Sequence, residues 1–168
     1  MEEWLDVYDE NHALTGRCVR RGEPVSGGER LLAVHVCVMD GQNRLLIQRR
    51  HPNKDRYPGC WDLPAGGFSQ KGERSRQAAR RELKEELGLD LAEEALTFLF
   101  TEPFSYVLDD FYMVRAELAP EDLRLQAEEV TEARWITWQE LRPMLSDGRF
   151  VDYPEAGMER LFRLAESL

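Results

Sequence analysis

The stretch "GGFSQKGERSRQAARRELKEELGLD", Gly66 to Asp90, decides how this chain is read. Its second half follows the period of an amphipathic helix. Ala79, Leu83 and Leu87 fall at i, i+4 and i+8 and form one apolar stripe. Ser75 is expected to cap the helix and Gly88 to end it. Glu82, Glu85 and Glu86 lie on the neighbouring arc, where their carboxylates converge. Like charges at this spacing repel by roughly 0.2–0.5 kcal/mol per exposed pair. At the edge of a core the repulsion is screened less than in open water. A hard divalent cation among them turns repulsion into shared attraction, and Mg²⁺ in particular joins one or two carboxylates to substrate phosphates. A run of glutamates is commonly just a solvated helix face, so the surroundings have to decide.

Upstream, "GEPVSGGERL" (residues 22–31) reads as a linker, and "WLDVYDENHALTGRCVRR" before it as two short strands around an Asp-Glu-Asn turn. "LLAVHVCVM" is nearly continuous in apolar residues, the mark of a strand buried on both faces. "RLLIQRR" follows across an Asp-Gly-Gln-Asn turn, which predicts a hairpin. "HPNKDRYPGCWDLPAGG" is rich in Pro and Gly and reads as a loop. Downstream, "LTFLFTEPFSYVL" and "DFYMVRAEL" are expected to be strands joined at Asp109-Asp110, and "ARWIT" a short strand. Thr137 and Glu140 form a capping box for a helix through "WQELRPML"; a last helix starts near Pro154. This order predicts a mixed sheet covered by helices, in the α/β class.

The 168 residues suit one domain, 1–168, with residues 1–28 as an N-terminal hairpin extension. The net charge is −10, from 22 basic and 32 acidic side chains. That balance argues against nucleic-acid binding, and an anionic substrate needs local help from basic side chains or metal ions. No segment is long and apolar enough to span a bilayer, and the acidic start is not a secretory signal. Cys18, Cys37 and Cys60 are an odd number at unrelated spacings. They read as reduced thiols in a cytoplasm rather than a disulfide frame or zinc site.

Read in full, Gly67 is followed after five residues by Glu73, and after seven more by Arg81-Glu82-Leu83, Glu85-Glu86 and Gly88-Leu89. Every fixed position matches the Nudix box, Gly-x5-Glu-x7-Arg-Glu-U-x-Glu-Glu-x-Gly-U with U aliphatic. At average residue usage a chance match is on the order of one in ten million. The chain therefore resembles the Nudix hydrolases. The resemblance implies an α/β/α sandwich with a mixed central sheet and Mg²⁺- or Mn²⁺-dependent cleavage of a nucleoside diphosphate linked to another group. It implies that Glu82, Glu85 and Glu86 hold the metal, with the carbonyl of Gly67 adding a ligand, and that Glu73 and Arg81 brace the loop against the helix. The expected partner is a small phosphoanhydride, and a homodimer is compatible with the sequence.

The flanking segment, with Gln48-Arg49-Arg50, Asn53-Lys54, Pro58-Gly59 and Trp61, is similar to isopentenyl-diphosphate isomerases. In that family basic residues of this stretch bind the diphosphate, which nominates Arg49, Arg50 and Lys54. The isomerases' cysteine before the box corresponds to Gly66, and Phe68 stands where they carry a metal-binding histidine. The sequence thus looks isomerase-like in shape and hydrolase-like in chemistry; the alternatives are an isomerase-like enzyme and a non-catalytic binding domain. His35 lies within an apolar strand and reads as a core or pocket histidine. Members of the Nudix family often take a functional glutamate from the segment that here holds Glu128, Glu129 and Glu132; Glu129 is the choice for general base, with the box carboxylates as alternatives. Phe104, Tyr106, Phe111 and Tyr112 alternate along two predicted strands, as core packing or as stacking surfaces for a base.

Overall fold

The structure is a computed structural model and describes residues 2–168. The chain folds as β1 (Trp4–Tyr8), β2 (Leu14–Arg20), β3 (Arg30–Met39), β4 (Leu45–Arg50), β5 (Trp61–Asp62), β6 (Ala65–Phe68), α1 (Ser75–Leu87), β7 (Thr97–Phe104), β8 (Val107–Arg115), β9 (Val130–Ile136), α2 (Trp138–Ser146) and α3 (Glu155–Ser167). The nine strands among the described residues belong to one mixed sheet, and helices cover both faces.

β3 is the organising strand. β8 runs parallel along its whole length, from Leu31↔Val107 to Met39↔Arg115. Its other edge is shared in turn by β1 at Arg30 and Leu31, β6 at Ala33 to Val36, and β4 at Met39. The predicted β3–β4 hairpin forms around the turn but is short: the two strands pair antiparallel only at Met39↔Leu45 and then splay. The Asp40 carboxylate closes the turn by accepting from the N–H groups of Gln42 and Arg44 at 2.9 and 2.8 Å, and Asn43 takes a left-handed φ of 56°. Beyond the turn β4 pairs instead with β9 and β5. The gap opened by the splay admits β6 and sets the site.

Successive side chains of β3 point to opposite faces. Val34, Val36 and Val38 pack with Ala78, Ala79, Leu83 and Leu87 of α1, as the helical stripe requires. Cys37 and Met39 pack on the other face with Leu141 and Met144 of α2 and Leu161 and Phe162 of α3. The N-terminal hairpin forms, with Leu5↔Val19 in register, and β1 joins the sheet at β3. Cys18, Cys37 and Cys60 are free thiols. No helix among the described residues is long and apolar enough to cross a membrane.

Three local readings need correction. The loop before the box contains β5 and β6, whose two and four residues are too short for a periodic signal. The β7–β8 turn falls at Ser105 and Tyr106, with Ser105 at φ 54°, and not at Asp109-Asp110. Both aspartates lie in β8 because their carboxylates find tertiary partners: His35 for Asp109, Ser75 and Thr101 for Asp110. Ser75 is the first helical residue rather than the cap, since its hydroxyl is taken by Asp110; Arg74 is the N-cap, its N–H held by Gln77 Oε1 at 2.9 Å. Gly88 does end α1, with φ 72° and its N–H on the Lys84 carbonyl, and the Thr137–Glu140 capping box forms.

Candidate active site

A cavity of about 500 Å³ opens where β3 and β4 diverge. One wall is the box. Gly66, Gly67 and Glu86 line it, with Gln48 from β4 beside them. Arg81 ties the loop to the helix with most of its donors. Nε and Nη2 grip Glu73 Oε1 and Oε2 at 2.9 Å each, Nη2 also reaches the Phe68 carbonyl at 3.0 Å, and Nη1 bonds Glu82 at 2.7 Å and Glu85 at 3.2 Å. Burial opposes the Arg81 charge, but the bonds to Glu73 and Glu82 outweigh it and raise its pKa. The Glu73–Arg81 brace is thus present as a two-pronged ion pair.

The N-terminal hairpin supports the same loop from below. Asp6 accepts from the Gly72 N–H at 2.6 Å, and the Trp4 carbonyl accepts from the Lys71 N–H at 2.8 Å.

Glu82 is 8% exposed and lies against Gly67. A Cβ on Gly67 would stand 2.3 Å from Glu82 Oε1, so only glycine lets strand and helix come this close. Burial pushes the Glu82 carboxyl up in pKa, with Arg81 opposing. Glu86 is more perturbed. Burial first, and then the Glu82 charge, push it up to about 8, against the lowering effect of bonds from Gln48 and the Gly66 N–H. Glu85 is exposed and turned to Arg81. Glu82 and Glu86 are therefore brought together while Glu85 stands aside. Among the described residues no group of three or more His, Cys, Asp or Glu is set to hold a metal ion as it stands.

The opposite wall was not legible in sequence. Asp109 Oδ1 lies 3.1 Å from His35 Nε2, and the Tyr153 hydroxyl lies 3.4 Å from His35 Nδ1. Tyr153 donates to Asp62 Oδ1 at 2.9 Å, and Asp62 Oδ2 accepts from Arg50 Nη1 at 2.9 Å. Burial, and then the Asp62 charge, drive the Tyr153 hydroxyl well up in pKa. The in-phase position of His35 among apolar residues was the one sequence signal. Its ring stacks on Phe111 at 5.0 Å and fills the space over Gly66. Exposed rings of Tyr57, Phe104 and Tyr106 form the rim, with Arg56 and Arg21 beside them. Tyr112 is buried away from the cavity, on the α1 side.

The basic candidates separate. Arg50 lines the cavity and also donates to the Arg56 carbonyl. Arg49 points outward, its Nε on the Gly59 carbonyl and Nη1 4.0 Å from Glu132. Lys54 pairs with Glu129, and neither lines the cavity.

A strand-loop-helix box set against a splayed mixed sheet defines a protein of the MutT/Nudix class. The NUDIX domain model matches residues 29–154, and the chain belongs to the Nudix hydrolase family. It is 42% identical over 153 residues to an uncharacterized Nudix hydrolase of Listeria monocytogenes, covering 91% of this chain and 90% of that protein. It is 42% identical over 135 residues to an uncharacterized Nudix hydrolase of Pseudomonas aeruginosa, covering 79% and 76%. In fold it is similar to the crystal structure of a Deinococcus radiodurans protein, with a TM-score of 0.76, 24% identity and 96% and 98% of the two chains covered.

Proposed function

We propose that this Nudix hydrolase cleaves a phosphoanhydride bond in a nucleoside-diphosphate-type or related diphosphate substrate, with Mg²⁺ (Mn²⁺ as substitute) held by Glu82, Glu86 and the Gly67 carbonyl and completed by Glu85. The observation that carries this reading is the placement of Glu82 against Gly67 and of Glu86, at the cavity wall, against Gly66 and Gln48. Two carboxylates near enough for one charge to act on the other in a half-buried site, beside the Gly67 backbone, fit a hard divalent cation, which takes oxygen ligands. A buried carbonyl oxygen of Gln48 without a partner, in the same wall, fits it too.

Such a cation neutralises the diphosphate, polarises the attacked phosphorus and lowers the pKa of a bound water. The chain supplies the rest. Gln48 and the Gly66 N–H hold the Glu86 carboxylate in one orientation. Arg81 keeps Glu82 from open repulsion and locks the loop through Glu73. Arg50 carries the positive charge of the inner wall and takes the diphosphate-binding role first given also to Arg49 and Lys54. With Glu129 engaged by Lys54, we assign activation of water to the box carboxylates. Residues 1–168 act as one unit, since the hairpin holds the box loop. The three free thiols support a cytoplasmic setting.

The isomerase alternative loses ground. A Cβ at position 66 would stand 2.8 Å from both His35 Nδ1 and the Val34 carbonyl, so His35 fills the space a cysteine would need. The test is a panel of nucleotide sugars, dinucleotides, nucleoside triphosphates and prenyl diphosphates with Mg²⁺, run in ¹⁸O-labelled water and in D₂O. Label is expected in a phosphate product. Deuterium uptake into a prenyl chain with no phosphate released from any compound, or activity that persists in EDTA, would overturn the proposal.

A further inference from the structure

Gln48 stands out among the polar side chains of the cavity. It is 6% exposed, and its Oε1 is the one buried side-chain polar atom among the described residues with no hydrogen-bond partner. Its amide nitrogen is engaged, donating to Glu86 Oε2 at 3.1 Å. Backbone pairing fixes its position, between Asp62 of β5 and Ala133 of β9. A buried acceptor left empty destabilises a fold, and native structures rarely keep one without a use.

The orientation of the amide follows from Glu86. The structure sets Gln48 Nε2 on Glu86 Oε2, and once a cation holds Glu86 ionised that carboxylate can only accept, so the NH₂ stays on it and Oε1 is left for another donor. What Oε1 lacks is a donor. Asp62 and Glu86 in the same lining are carboxylates, and Arg50, the cationic neighbour on β4, spends Nη1 on Asp62 and Nε and Nη2 on the Arg56 carbonyl. A donor therefore has to come from whatever enters the cavity beside Glu86. Mg²⁺ gives up its water reluctantly and usually keeps several water molecules when bound to protein. A water on a dication is a strong donor.

We propose that Gln48 is a positioning residue for the divalent cation, its Nε2 orienting Glu86 and its Oε1 accepting a hydrogen bond from a water that the cation retains. The inference rests on reading the box as a cation site. It assigns to β4, outside the box, one of the groups that fix how the cation is hydrated. Partners of this kind behind metal ligands commonly change affinity by about 10- to 100-fold when removed.

The test uses the full chain and Mn²⁺ as probe. Gln48→Met keeps the volume and loses both donor and acceptor. Gln48→Glu keeps an oxygen acceptor and adds a charge. Mn²⁺ affinity is measured by electron paramagnetic resonance, exchange of the bound water by ¹⁷O relaxation, and melting in EDTA by calorimetry. Gln48→Met is expected to bind Mn²⁺ about 10- to 100-fold more weakly, with faster water exchange. Gln48→Glu is expected to bind at least as tightly as the unmodified chain. Equal affinity and water exchange in Gln48→Met, or equal losses in both variants, overturns the inference. If Gln48→Met does not fold in EDTA, Gln48→Glu carries the test, and weaker binding by it overturns the inference. Failure of the unmodified chain to bind Mn²⁺ sinks the cation reading itself, a separable result.

Discussion

Two carboxylates in this chain, Asp40 buried and Glu86 half-buried, live under opposite rules. Asp40, 2% exposed at the β3–β4 turn, accepts from the backbone of Gln42 and Arg44 and from Arg44 Nε at 2.7 Å. Burial raises its pKa, but the bonds from Arg44 and Gln42 outweigh that and the net shift is down. Glu86 also has two donors, yet burial and the Glu82 charge win and its pKa climbs to about 8. Asp40 is satisfied by the fold alone. Glu86 is not, and its deficit is one positive charge. A carboxylate strongly perturbed by burial and a like charge in a cleft is a candidate for a functional site.

The comparison breaks first at Glu86→Gln. The change keeps the shape and removes the charge that a cation needs. Turnover is expected to fall by at least about two orders of magnitude, the usual scale for an electrostatic element in a closed site. Stability in EDTA should hold or rise, because the like-charge contact with Glu82 is gone. Steady-state kinetics and melting curves check both. Undiminished turnover would remove Glu86 from the cation site.

Next in size is the Glu73–Arg81 brace. Both partners are largely buried, so truncating either leaves the other uncompensated. Each single alanine variant should lose about 2–3 kcal/mol, somewhat less than a fully buried pair. The double variant should lose less than the sum. Additive losses in melting experiments would mean that the pair is not coupled. Asp40→Ala should lose about 1.5–3 kcal/mol as well, the range for hydrogen bonds to a charged group. Its turnover per folded molecule should be unchanged, which is what separates the turn from the site.

Much of the box wall was legible because it is local. The stripe of α1, the Gly88 stop and the brace all lie within one 25-residue span, where spacing fixes geometry. Even there the convergence of three glutamates was only part of the outcome, since Arg81 draws Glu85 outward. The far wall was hidden because every link crosses the fold: His35 to Asp109, Tyr153 to His35 and Tyr153 to Asp62 are 74, 118 and 91 positions apart. Those same contacts overrode the turn preference of Asp109-Asp110. The β3–β4 hairpin stays one residue pair long because the local turn chemistry holds but both strands have longer pairings elsewhere.

A smaller effect sharpens the Glu86 side of the comparison. Its folded pKa of about 8 lies above the ordinary 4.5. Between those values the folded chain holds a proton that the unfolded chain has released. Its contribution to stability is therefore complete below about pH 4.5 and lost as pH rises through 8. In EDTA the melting temperature of the unmodified chain should fall across this window relative to Glu86→Gln, which lacks the group. Parallel curves would show that Glu86 titrates normally.

The smallest expected effect belongs to Glu129, the glutamate that sequence position favoured as general base. It pairs with Lys54 outside the cavity and is about half exposed. An exposed pair of this kind contributes about 0–1 kcal/mol to stability. A general base in the reaction contributes about 10²- to 10⁴-fold in rate. The two roles are thus separated by a wide interval. Glu129→Gln is expected to keep turnover within about threefold and to melt within about 1 kcal/mol of the unmodified chain, and Lys54→Ala to match it. If Glu129→Gln instead loses a hundredfold while Lys54→Ala does not, the carboxylate acts in the reaction. The segment before β9 would then have to swing toward Glu86 when substrate binds, and the base would lie outside the box.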